Sequence, residues 1–194
     1  MKTLIKLLLI AALLGSGALH AGAIHEAIWE GDLEKVKSAI EKDPASIKAA
    51  DDSTELSAQK LLPLHLALSR GYQEVIEYLL EKGADPNAKA GDEGTTPMHI
   101  AATTMNRELV ELLINKGGNV NAVDANGVTP MMKAVSWGPN NEGIVEFLIE
   151  KKGDPMMMDA GGTNSTVLHQ ACLWPHNFTT VQMLIEKAKM DPRT

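Results

Sequence analysis

The clearest pattern of apolar and polar positions lies between 96 and 124, TPMHIAATTMNRELVELLINKGGNVNAVD, where two short helical runs follow one another. Thr96 can cap the first with its hydroxyl, and Pro97 suits its first position, where the missing N–H would have had no partner. A turn follows Thr104, and a second amphipathic helix runs from about Glu108 to the Gly117-Gly118 pair. A helix pair this short cannot bury both apolar faces by itself, so the pattern should recur along the chain. It does, as Ile24-His25-Glu26-Ala27, Leu64-His65-Leu66-Ala67, Met98-His99-Ile100-Ala101 and Leu168-His169-Gln170-Ala171, with a degenerate copy at Met131-Met132-Lys133-Ala134. The anchoring alanines are 40, 34, 33 and 37 residues apart. Val75, Ile76, Leu79 and Leu80 recur as Leu109, Val110, Leu113 and Ile114 at matching offsets, and these are core positions.

Leu62-Pro63-Leu64-His65-Leu66-Ala67 and Thr96-Pro97-Met98-His99-Ile100-Ala101, followed by VIEYLLEKGADPNA, LVELLINKGGNVNA and IVEFLIEKKGDP, resemble the signatures of the ankyrin family. The resemblance covers essentially everything after Ala23. It implies an all-α ankyrin-repeat solenoid of about five helix-turn-helix repeats with short β-hairpin finger loops. The repeats fall near 24–53, 54–90, 91–123, 124–159 and 160–194.

Departures from regularity gather at the joints. The first finger carries an insertion within ASIKAADDSTELSAQK, which is polar and reads as surface loop. In the fourth repeat the turn swells to GPNNEG, and Lys152 stands where the second repeat has Gly83, so its helix cap is expected a residue away. The fifth repeat is extended around Trp174-Pro175-His176-Asn177, and its finger, MMMDAGGTNST, lacks the usual proline at Val167. No dedicated C-terminal cap is visible. Either the last repeat caps itself through Gln182, Glu186, Lys187 and Lys189, or its apolar end serves docking or self-association.

Residues 1–23 differ in kind: Lys2 and Lys6, an apolar run from Leu7 to Leu14, then Ala21-Gly22-Ala23. This is the pattern of a secretory signal peptide cleaved after Ala21 or Ala23, too short for a membrane span, so no membrane insertion is expected after cleavage. Its compactness suggests a bacterial envelope protein, periplasmic or, alternatively, secreted. The formal charge of −7 becomes −9 without Lys2 and Lys6, which disfavours nucleic acid and would steer in a basic protein. Cys172 is the only cysteine, so no internal disulfide can form; beside Ala171 on an inner helix it reads as a buried, inert residue.

The histidines invite a metal reading that geometry rejects. One equivalent histidine per repeat lies on helices roughly 8–10 Å apart, whereas zinc ligands sit within about 2.0–2.3 Å of the ion. The resemblance assigns His25, His65, His99 and His169 hydrogen bonds within and between repeats. Met131, Met132 and Met156 to Met158 could suit copper(I) if they met, but methionine more simply fills gaps in imperfect repeats. No nucleophile elbow, zinc-protease motif or phosphate loop is present, so neither catalysis nor a cofactor is expected.

Binding residues follow from the resemblance, which turns the second and third positions after each signature alanine toward a concave groove. Those positions hold Trp29, Ser69 and Arg70, Thr103 and Thr104, Ser136 and Trp137, Leu173 and Trp174, and so include all three tryptophans of the protein. Trp137 and Trp174 share one offset in adjacent repeats and should be neighbours. They either form a recognition surface or pack down on their own extended turns. Asp92, Glu93 and Asn126 at the finger tips would add a polar, partly acidic rim. The expected function is recognition of a protein in the envelope. Three narrower roles stay open: inhibitor or immunity protein for a basic toxin or enzyme, stress-protection accessory docking on a haem or redox enzyme, and delivered effector.

Overall fold

The computed structural model describes residues 20–50, 60–137, 141–162 and 164–187. Residues 1–19 of the segment expected to be a signal peptide, the middle of the first insertion at 51–59, residues 138–140 of the swollen turn in the fourth repeat, residue 163 and the tail from 188 lie outside the described residues. Five inner helices, α1 His20–Glu30, α3 Pro63–Arg70, α5 Pro97–Thr103, α7 Pro130–Trp137 and α9 Val167–Cys172, alternate with five outer ones. The outer helices are α2 Leu33–Lys42, α4 Gln73–Glu81, α6 Arg107–Asn115, α8 Glu142–Glu150 and α10 Phe178–Glu186. Each inner helix packs on the next, α1 on α3 through to α7 on α9, so the core is one continuous strip. Of the residues read as core from their spacing, Val75, Ile76, Leu79, Leu109, Val110 and Leu113 are at most 4% exposed and Leu80 6%, whereas Ile114, near the end of its outer helix, is only half-buried against the core.

The same local chemistry repeats from unit to unit. His25 Nε2 lies 2.9 Å from the Leu61 carbonyl, His65 Nε2 2.9 Å from that of Thr95, and His99 Nε2 2.9 Å from that of Val128. Each ring therefore anchors the root of the next finger. His99 Nδ1 accepts the Thr96 backbone N–H at 3.2 Å and faces the Thr96 hydroxyl at 2.8 Å. An Nδ1 that accepts an N–H carries no proton, so Nε2 is the donor to Val128 and the ring is neutral. The Thr96 hydroxyl also faces the first turn of the helix, so Thr96 and His99 together form a capping box. On the outer side, Asn87 donates to the Gly117 carbonyl at 2.8 Å and accepts the Asn119 N–H at 2.7 Å. Asn121 clamps Lys152 and Asp154 of the following repeat in the same way, at 3.0 and 2.8 Å.

Several expectations are corrected. Among the described residues the fingers contain no strand, only the isolated bridge between Ala90 and Thr95; successive fingers are joined instead by Ala125 N–H to the Glu93 carbonyl and Ala160 N–H to that of Asn126, both 2.7 Å. The start of the first insertion is folded: Pro44–Lys48 forms a 3-10 turn that buries Ile47 to 6% exposure in the core. The outer-helix cap of repeat four is not displaced. Lys152 itself takes the left-handed conformation at φ +69, where repeats two and three have Gly83 at +91 and Gly117 at +90. Gly153 N–H then reaches the Leu148 carbonyl at 2.7 Å, as Gly118 N–H reaches that of Leu113. A side chain at positive φ costs about 1 kcal/mol, so Lys152→Gly should stabilise the protein by roughly that amount in chemical denaturation. An unchanged midpoint would show that the Lys152 side chain compensates elsewhere.

Cys172 is exposed. Its equivalents Ile28, Leu68, Ala102 and Val135 are each 0% exposed because the following repeat covers them. Among the described residues nothing follows the fifth repeat, so the position that resembled a buried site opens to solvent there, as does His169.

Candidate functional site

Each inner helix ends on the same edge of the strip, and the residues singled out from the sequence lie along it. The hydroxyls in the middle of the row are engaged by their own helices. Ser69 donates to the Leu66 carbonyl at 2.8 Å, Thr103 to Ile100 and Thr104 to Ala101 at 2.7 Å, and Ser136 to Met132 at 2.9 Å. They line the row without offering it a donor proton. At its first end the Arg70 guanidinium carbon lies 3.5 Å from the centre of the Trp29 ring, a stacked pair linking repeats one and two.

The far end is apolar. Trp137 is 73% exposed, Leu173 69%, Trp174 45% and Phe178 75%. Trp137 closes α7, but α9 stops at Cys172, so Trp174 leaves the helix at extended φ and ψ and stacks with His176 at 6.0 Å between ring centroids. The two tryptophans are thus not in equivalent backbone settings, despite their equal offsets.

What holds this end together is a buried polar network. Asn177 Nδ2 donates to the Val135 carbonyl at 2.8 Å and to that of Ala171 at 3.3 Å. One side chain therefore ties the last turns of α7 and α9, with Trp137 two residues beyond one tie and Leu173 two beyond the other. Asn141 Nδ2 donates to Asn177 Oδ1 at 2.7 Å, and the Thr180 hydroxyl donates to Asn141 Oδ1 at 2.6 Å. Asn141, Asn177 and Thr180 are each at most 1% exposed. Buried amides satisfied on both ends fix geometry strongly. A 3-10 turn over Pro175–Asn177 delivers Asn177 to this place and starts α10 at Phe178, which reading the sequence did not single out.

Asp92, Glu93 and Asn126 are exposed at the finger tips, as expected. The Lys133 ammonium lies 3.6 Å from Glu93 and 3.5 Å from Asp124, whose side chain is fully buried. Asp124 also accepts the Asn126 and Val128 N–H groups at 2.8 and 3.0 Å, so it builds the finger. Met131 and Met132 are 3% and 1% exposed in the core, while Met156 and Met158 project at 49% and 59%; the two methionine groups do not form one site.

The sequence model described as ankyrin repeats in three copies matches residues 2–90, 87–159 and 107–194. The chain belongs to the ankyrin-repeat family. Ankyrin repeats are, as a family, non-catalytic modules that bind proteins. No curated protein matches the chain. Among its described residues no helix is long and apolar enough to cross a membrane.

Proposed function

We propose that this ankyrin-repeat chain binds its protein partner through Trp137, Leu173, Trp174 and Phe178, without catalysis, after export to the bacterial envelope. The observation that carries the reading is this set of exposed large apolar residues around one buried asparagine. Exposed tryptophan and phenylalanine on segments tied together by one side chain are of the residue types that anchor protein interfaces. The acidic net charge of −7 favours a partner that is basic overall. Export rests on the signal-like segment 1–23, and fractionation with the mass of the mature chain tests it: residues 1–23 retained on a cytoplasmic protein would refute it.

The binding test is capture from an envelope extract by wild type and by a Trp137→Ala, Trp174→Ala variant of checked helicity, repeated with the purified partner. Loss of two anchoring rings should weaken binding by about thirtyfold or more. Equal affinity would move the site away from this end. Inhibition is the favoured consequence of binding, since a row with an apolar end beside acidic finger tips can cover a basic active-site rim. It fails if the bound partner keeps its full activity.

A further inference from the structure

The protein contains three arginines, and two of them stack on aromatic rings. Arg107 lies 4.5 Å from the Phe147 ring centre and also has the Glu150 carboxylate 3.7 Å from its guanidinium, so its cation is both stacked and paired. Arg70 has the closer stack, 3.5 Å over Trp29, and among the described residues its guanidinium has no carboxylate partner. The nearest acidic residue in sequence to Trp29 is taken: Glu30 is ion-paired with Lys35. Arg70 is thus a planar cation stacked on a ring, its edge donors without an acceptor among the described residues, on the row where a partner would lie.

We infer that Arg70 and Trp29 form a receptor for a carboxylate of the partner, an Asp or Glu side chain on a protein segment that also covers the exposed ring of Trp29. Stacking removes much of the side-chain freedom that an exposed arginine otherwise loses on binding, and the guanidinium fork matches two carboxylate oxygens. Phosphate has the same oxygen geometry. A dianion, however, is repelled more strongly than a carboxylate by a chain of charge −7, and it makes no use of a ring left 61% exposed. The partner that suits the whole row then carries an acidic residue for the Arg70 end and an apolar surface for the Trp137 end. This rests on the protein-binding reading above but uses different residues, so failure here leaves the Trp137 and Trp174 test untouched.

The test follows the Nε–H signals of purified protein labelled on arginine. Three arginines keep the spectrum simple, and Arg70→Lys identifies the signal by its loss. The probes are acetyl-Ala-Leu-Glu-Leu-Ala-amide, which carries one carboxylate, its glutamine counterpart and inorganic phosphate, at constant ionic strength. The expected result is a saturable shift of the Arg70 signal with the glutamate peptide, at a Kd of about 1 mM, and little with the other two. Trp29→Leu, of unchanged helicity, should weaken that binding about tenfold. Arg70→Lys should do the same when binding is followed by tryptophan fluorescence, because lysine keeps the charge but loses the fork and the stack. The inference is overturned if the glutamine peptide shifts the signal equally, if phosphate binds more tightly, if Arg70→Lys or Trp29→Leu binds as wild type does, or if no saturation occurs below about 10 mM.

Discussion

Replacing Asn177 with leucine should cost the protein about 3 kcal/mol, the largest effect expected of any single polar residue here. Leucine has similar bulk but would leave the Val135 carbonyl without its side-chain donor and deprive Asn141 Nδ2 of its acceptor. Each buried polar group that loses its partner costs about 1–3 kcal/mol. For a chain of this size the midpoint of thermal unfolding should fall by about 6–10 °C. The discriminating measurement is a cycle with Asn141→Leu. Because the two amides bond to each other, the double variant should lose clearly less than the sum of the single losses. Strict additivity would mean that each asparagine acts separately and that the network is not a unit. The variant should also weaken partner capture, since Asn177 fixes the spacing of Trp137, Leu173 and Phe178.

Acid should destabilise the fold through its histidines before it protonates the carboxylates. Burial pushes His65 down from 6.5 to about 4, partly opposed by the hydrogen bond to the Thr95 carbonyl, and burial lowers His99 in the same direction. A ring held neutral in the fold but basic at 6.5 when unfolded contributes its stability fully above pH 6.5. That contribution is lost as the pH falls from 6.5 toward 4. For His65 alone the loss amounts to about 3 kcal/mol, with the slope greatest midway between the two values and falling off toward either end of the window. His65 is the sharper probe because its Nδ1 has no hydrogen-bond partner. The second repeat has Leu62 where the third and fifth have Thr96 and Thr166, so the hydroxyl that serves His99 and His169 is missing there. Urea unfolding at a series of pH values checks this. His65→Gln should be less stable at neutral pH and lose less between pH 6.5 and 4 than wild type. A parallel dependence in both proteins would remove His65 as the cause.

The repeat itself was legible in the sequence because its chemistry is local. A Pro at the start of an inner helix, a glycine or its stand-in after an outer one, and apolar residues at helical offsets each state their role within a few residues. From these the order of the helices and most of the core follow. The positions that misled are decided by what lies one repeat away. Cys172 matches Val135 and Leu68 in its own helix, yet differs from them because no sixth inner helix among the described residues packs over it. Asn141 and Asn177 sit in swollen turns, where asparagine normally meets water, and their partners are 36 and 42 residues distant. Lys152 was read as a reason to move a cap; the bonds made by Gly153 and Asn121 hold the cap in register and force a lysine into a glycine's conformation. At the candidate site the tryptophans were visible as a row. Phe178 was not, because the 3-10 turn that ends at Asn177 has no counterpart between inner and outer helix among the described residues of the other repeats.

The bonds between fingers restrict how anything can dock on their tips. Ala125 and Ala160 are exposed, but their amide hydrogens are committed to the carbonyls of Glu93 and Asn126 in the preceding finger, so they should exchange with solvent far more slowly than their exposure suggests. These four backbone groups form a rail that is already zipped. A visiting chain therefore cannot insert itself as an extra strand between neighbouring fingers without first unzipping them, and must recognise the tips through the side chains of Asp92, Glu93 and Asn126. Selectivity at that edge can then be rewritten one side chain at a time, with the rail itself left intact.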